Sequence, residues 1–210
     1  MPTFEGTWTY ADEEAVLGLT RYLNVVDKDH NMVSVTSSNL SGWGNGMVVE
    51  GAGFLLNNRM NYFYDDPNDV NALVPGKRTR QTINPQLAMK DGKPWMVFGR
   101  PGGDTQPQSQ LQFFLNHFEF GVGDQQALEQ PVVISSSFRS SSHPHGVRGT
   151  LQTPSSLPEG TKEGLAARGH NLAIRPVRGV GAVKAIVINQ ETGALMGGVS
   201  PTRESYTMGW

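Results

Sequence analysis

The chain has 210 residues, enough for one sizeable domain with a core. Its formal net charge of -2 makes no case for a nucleic-acid or membrane-surface partner, and the lack of cysteine excludes disulfides and thiolate zinc sites. The 25 glycines and 13 prolines favour many tight turns and short strands over a helix bundle.

Residues 1–19 contain the acidic run Asp12-Glu13-Glu14 and no clean period of 2 or 3.6. They read as an N-terminal extension or linker ahead of a domain over residues 20–210. Met1 to Thr9 show neither a basic stretch nor an apolar run, so no secretory signal is expected, which slightly favours the cytoplasm. No segment reaches the roughly 20 apolar residues that a membrane helix needs.

Residues 20–27 and 32–36 carry Val, Tyr, Leu and Thr, which favour the pleated surface, on either side of the polar Lys28-Asp29-His30-Asn31, which predicts a strand, a tight reversal and a second strand. Thr20 places a hydroxyl at the start of the first strand. The loop Ser41-Gly42-Trp43-Gly44-Asn45-Gly46 lacks the Gly-Lys-Ser/Thr ending of a phosphate loop. Tyr64-Asp65-Asp66-Pro67-Asn68-Asp69 lacks the acid spacing, central glycine and terminal glutamate of a calcium loop and reads as a solvated turn.

Residues 86–100 predict a hairpin about Asp91-Gly92, the strongest short-range hairpin signal. The second strand runs into Arg100-Pro101-Gly102-Gly103-Asp104, and a helix is predicted from Gln106. Leu111, Phe114, Leu115 and Phe118 fall at i, i+3, i+4 and i+7 and are expected to form its buried face. Strand, paired glycines and helix make either an ordinary turn or a place where backbone N–H groups receive a developing negative charge. Gln125–Glu129 extends the helical layer. Residues 131–160 read as a Ser/Pro-rich loop. Its His143 and His145 flank Pro144 with no third ligand in view, so no metal site is assigned. A short helix near 161–168 precedes strands near 171–177, 183–189 and 194–199. Strands, then helices, then strands imply an α+β layered domain.

Four stretches in this order resemble the small, catalytic subunit of the gamma-glutamyltransferase family of N-terminal-nucleophile hydrolases. They are Thr20-x-Tyr22-x-x-Val25-Val26-Asp27-x-Asp29-x-Asn31; Gly53-Phe54-Leu55-Leu56-Asn57-Asn58-x-Met60; Pro75-Gly76-Lys77-Arg78; and Asp91-Gly92-Lys93-Pro94 with Pro101-Gly102-Gly103. The similarity runs from about Thr20 to the C-terminus. Gly102-Gly103-Asp104-x-Gln106-Pro107-Gln108 and the later serine runs look closest to the family's acylase-like branch.

The resemblance implies an αββα four-layer sandwich, about half of it supplied by this chain and the rest by a large subunit, in a heterodimer or a dimer of heterodimers. It implies self-cleavage before the threonine, then attack of its hydroxyl on an amide carbonyl with its own freed amine as base. No cofactor is implied. Residue by residue, Thr20 matches the nucleophile, Ser38 a supporting hydroxyl, and Gly102 and Gly103 the oxyanion hole. Tyr62 stands where gamma-glutamyl enzymes place the aspartate that holds the substrate's α-amino group. Gln81 and Thr82 stand where relatives place paired serines for its α-carboxylate. Leu40 replaces an asparagine, with Asn39 adjacent. Asn39, Tyr62, Gln81 and Thr82 are therefore candidate substrate-binding residues, for a small-molecule amide other than an ordinary gamma-glutamyl compound. Two alternatives stand beside this: true gamma-glutamyl transfer with the clamp on the large subunit, and an uncleaved, inactive structural subunit, since 19 residues precede Thr20.

Overall fold

The computed structural model describes residues 20–141, 148–176, 182–202 and 204–210. The 1–19 extension and both histidines of the 131–160 stretch lie outside them. Two compact units emerge, the first including residues 37–81 and the second residues 22–36 and 82–210.

The first unit is built from turns. Its only regular helix among the described residues is a 3-10 turn, Arg59–Tyr62. Isolated bridges join Val48 to Leu55 and Tyr64 to Ala72. Within the acidic stretch, Asp66 Oδ1 accepts from Asn68 N at 2.9 Å and Asp69 Oδ1 from Asn71 N at 2.8 Å. These carboxylates close their own turns, as short acidic side chains do. Leu40, Arg59, Tyr62, Tyr64 and Ala72 are buried.

The second unit carries the regular structure. Strands β1 (Arg21–Val26) and β2 (Met32–Ser37) form the predicted hairpin. Its turn is held by Asp27, whose carboxylate accepts from Asn31 N at 2.8 Å, Asp29 N at 2.9 Å and Asn31 Nδ2 at 2.8 Å. A four-stranded antiparallel sheet follows the order β3 (Gln86–Lys90), β4 (Lys93–Gly99), β8 (Lys184–Ile188), β9 (Leu195–Val199). The β3–β4 turn uses Asp91 and Gly92 at φ 51° and 76°, the left-handed pair expected of Asp-Gly. The register steps from Ala88↔Met96 to Met89↔Pro94, leaving Trp95 as the extra residue of a bulge.

β4 is buried from Trp95 through Gly99, so both of its faces are covered. Helix α1 (Gln106–Phe118) packs its rings there: Phe98 meets Phe113 at 5.5 Å and Trp95 meets Phe114 edge-on at 5.8 Å. Helix α2 (Asp124–Glu129) adds Ala127 and Leu128 to the same core. The β1–β2 hairpin is tied to the sheet by Asn24 Nδ2 donating to Val97 O at 3.2 Å and Lys184 Nζ donating to Tyr22 O at 3.0 Å. Tyr22 lies against Gly99 so closely that a Cβ there would meet its ring at 2.4 Å.

Two expectations need correction. The buried face of α1 is Gln106, Ser109, Gln110 and Phe113, which has the expected i, i+3, i+4, i+7 period but is displaced roughly 140° around the helix. Leu111, Leu115 and Phe118 are 57%, 37% and 52% exposed. The reason is hydrogen bonding. Gln108 exchanges two bonds with the backbone of Ser135, and Gln112 two with that of Val133. Gln106 and Gln110 donate to the carbonyls of Thr82 and Asn84. Amide side chains thus imitate backbone and fasten extended segments to the helix.

The second correction concerns residues 131–160, which hold strands β5 (Ile134–Ser135) and β6 (Leu151–Pro154). β6 pairs in parallel with β7 (Leu172–Arg175), the two being joined through helix α3 (Glu159–Ala167). Among the described residues one small βαβ unit therefore stands beside the antiparallel pairs β3–β4, β4–β8, β5–β6 and β8–β9. The α+β class stands.

Candidate active site

In the first unit the hydroxyl of a half-buried threonine, Thr20, lies in hydrogen-bond contact with that of Ser38, with 2.9 Å between Oγ atoms. Ser38 is held in turn by two donors. Arg59 Nη2 approaches its Oγ at 2.6 Å and the backbone N–H of Leu40 at 3.1 Å. Arg59 is 3% exposed and reaches Tyr62 as well, donating from Nη1 to the phenol oxygen at 3.0 Å.

Local sequence explains this arrangement. Asn57 Oδ1 accepts from the N–H of Arg59 at 2.9 Å and starts the 3-10 turn that carries Arg59 and Tyr62. Asn58 Oδ1 accepts from Ser41 N at 3.2 Å, and Asn58 N donates to Asn39 O at 3.1 Å. The paired asparagines thus bind the 38–41 segment to the 59–62 turn. Between those anchors Leu40 is buried with φ 73°, a left-handed conformation that costs a branched residue on the order of 1–3 kcal/mol. Thr79 Oγ1 donates to Arg59 O at 3.1 Å and brings the Pro75-Gly76-Lys77-Arg78 segment back over the turn.

The other candidates are distributed as follows. Asn39 is half-buried, and its carbonyl is engaged by Asn58. Tyr62 is 3% exposed and its hydroxyl meets Arg59. Gln81 is exposed in the first unit. Thr82 belongs to the second unit, where its carbonyl accepts from Gln106.

Gly102 and Gly103, in the second unit, have φ 129° and 53°, backbone that favours glycine. A Cβ on Gly102 would stand 2.5 Å from Arg100 Nη2. The glycines lead into a 3-10 turn, Gly103–Thr105, and then into α1, and the first N–H groups of such a turn have no partner within it. Thr105 Oγ1 closes the turn by donating to Gly102 O at 2.7 Å. Beneath it, buried Arg100 donates to Pro101 O at 2.7 Å and to Ser109 Oγ at 2.8 Å. Asp104 accepts from both the N–H and the hydroxyl of buried Ser141.

Sequence reasoning missed Arg59, Arg100 and the Asp104–Ser141 pair. Arg59 had a signal, as a cation inside the otherwise apolar and asparagine-rich 53–60 stretch. Asp104–Ser141 had none, because the partners are far apart in the chain. Among the described residues no group of histidine and carboxylate side chains could hold a metal ion.

The family model described as gamma-glutamyltranspeptidase matches residues 5–210. A glutathione hydrolase proenzyme of Bacillus subtilis subsp. natto is 33% identical over 197 residues, covering 92% of this chain and 32% of that protein. The chain therefore spans about a third of the length of the curated relatives it matches. A gamma-glutamyltranspeptidase from Pseudomonas nitroreducens, solved with L-DON, superposes with a TM-score of 0.75 at 29% identity, covering 90% of this chain and 98% of that one. A cephalosporin acylase from Bacillus halodurans superposes with a TM-score of 0.74 at 36% identity, covering 86% of this chain and 32% of that one.

Proposed function

This chain belongs to the gamma-glutamyltranspeptidase family, and from that premise we propose that it is the nucleophile-bearing part of an amidohydrolase or acyltransferase, with Thr20 as nucleophile. The observation that carries the reading is the Thr20–Ser38 hydroxyl pair at 2.9 Å. After cleavage before Thr20, the freed amine accepts the proton of Oγ as that oxygen attacks a substrate carbonyl. The tetrahedral oxyanion needs preorganised backbone N–H donors, a role that the family resemblance gives to Gly102 and Gly103. The C–N bond then breaks, the leaving amine takes the proton, and an ester remains on Thr20. Water or an acceptor amine releases the acyl group.

The substrate is an amide other than an ordinary gamma-glutamyl compound. Tyr62, where a carboxylate would grip an α-amino group, is a buried phenol engaged by a guanidinium. The similarity to a cephalosporin acylase supports the same side. The similarity to a glutathione hydrolase proenzyme keeps gamma-glutamyl transfer as a second reading, with the clamp supplied from elsewhere in the precursor. The large subunit of that precursor is the expected companion, since relatives are about three times as long.

Intact mass and acyl-enzyme trapping test the assignment. A species beginning at Thr20, carrying one acyl group after a rapid quench, is expected. Thr20→Ala should yield neither cleavage nor turnover. Turnover by a contaminant-free Thr20→Ala preparation would sink the nucleophile assignment, and efficient hydrolysis of a gamma-glutamyl anilide would overturn the substrate part. A mature protein that still begins at residue 1 would point to an inactive subunit.

A further inference from the structure

We infer that Arg59 is a positioning residue that sets the direction of the Ser38–Thr20 hydrogen bond, forcing Ser38 to donate and Thr20 Oγ to accept. The inference rests on the nucleophile reading above for its catalytic consequence, but its geometry is independent of it. A serine hydroxyl has one proton and two lone pairs. An unconstrained hydroxyl rotor can turn either way. Here it cannot. The guanidinium of Arg59 and the backbone N–H of Leu40 can only donate, and both donate to Ser38 Oγ, at 2.6 and 3.1 Å. Its two lone pairs are filled. The remaining contact, Thr20 Oγ at 2.9 Å, must receive the proton of Ser38.

Two consequences follow. The proton of Thr20 has no acceptor on Ser38, so Ser38 is not the base, and the reading above leaves that role to the threonine's own freed amine. The short contact from a cation also polarises the Ser38 O–H, so its donation to Thr20 strengthens as Oγ gains negative charge. Arg59 thereby stabilises the charged nucleophile through one intervening hydroxyl. It is itself fixed by Asn57 at its N–H, by Thr79 at its carbonyl and by the Tyr62 phenol at Nη1.

Neutron diffraction from crystals of the purified protein exchanged into D2O decides the geometry. A deuteron bonded to Ser38 Oγ on the line to Thr20 is expected. A deuteron bonded to Thr20 Oγ and aimed at Ser38 would overturn the inference, whatever activity the protein has. Failure to trap an acyl group on Thr20 bears on the amidohydrolase reading alone and leaves the deuteron position to decide this one. In the active enzyme, single-turnover acylation supplies the second test through Arg59→Met, Ser38→Ala and their combination. Each single change is expected to lower the acylation rate roughly 10- to 100-fold with KM little changed, the range for a hydrogen bond to a charged group. The double variant should lose no more than Ser38→Ala, and Arg59→Lys, which keeps a donating cation, should recover most of the rate. Additive losses, or a loss seen only in KM, would reject the role.

Discussion

Tyr22 illustrates how much one side chain does in the second unit. Its hydroxyl meets Ser34 Oγ at 2.8 Å, and burial pushes its phenol up to about 12. The folded state therefore holds the Tyr22 proton more tightly than the unfolded chain does. That contribution to stability is complete below pH 10 and is lost as the pH rises from 10 to 12. Denaturant titrations across this range should show an alkaline loss on the order of 2 kcal/mol that Tyr22→Phe abolishes. An unchanged alkaline slope in the variant would refute the assignment. Asp27 works in the opposite direction. Its hydrogen bonds to Asn31, side chain and backbone, hold its carboxyl below the ordinary range. The turn it caps is stabilised above the ordinary aspartate pKa and loosens as the pH falls through the lowered one. Amide exchange at Asp29 and Asn31 should accelerate in acid relative to neighbouring strand positions, and Asp27→Ala should remove that pH dependence.

At the scale of elements, α1 acts as a clamp more than as an apolar wedge. Its glutamines hold residues 133–135 and 82–84 by side-chain amides, and its rings pack on the bulged strand β4. Replacing Gln112 by Leu keeps the volume but leaves the N–H and carbonyl of Val133 without partners, which costs about 1–3 kcal/mol per group left buried. The melting temperature should fall, and exchange at residues 133–135 should rise before that of β4. Gly99→Ala tests a different joint. The added methyl meets the Tyr22 ring at 2.4 Å, so the β1–β2 hairpin must shift from the sheet, with an expected loss of about 1–3 kcal/mol. A variant as stable as the parent would show that this contact yields freely.

Over the whole molecule, apolar surface is distributed unevenly. Leu23, Val25, Val33 and Val35 of the hairpin and Leu111, Leu115 and Phe118 of α1 are exposed at 37% or more. On the proposed reading, in which the chain is one part of a longer precursor, faces of this kind are the expected seats of the rest of it. Leu111→Asp combined with Leu115→Lys should leave the four-stranded sheet folded yet weaken co-purification with the proposed large subunit, read by pull-down and analytical ultracentrifugation. Undiminished association would place the contact elsewhere. Among the described residues no helix is long and apolar enough to cross a membrane.

The sequence by itself determined those features whose signals are local. Asp91-Gly92 specified its turn because only such a pair accepts left-handed backbone twice in succession. Residues that favour the pleated surface specified the strands at 21–26 and 32–37, and the ordered stretches around Thr20, Asn57-Asn58 and Gly102-Gly103 pointed to the family. Tertiary structure alone decided what depends on partners distant in the chain. The helix period of α1 was legible, but the buried side was not, because glutamine is polar by composition and becomes interior only when a facing backbone supplies its hydrogen bonds. Strands β5 and β6 hid in a serine-rich stretch for the same reason, their order coming from those glutamines and from β7. Arg59 was visible as a residue and invisible as a contact. A buried cation between Ser38 and Tyr62 exists only after the 38–41 and 59–62 turns have been folded against each other.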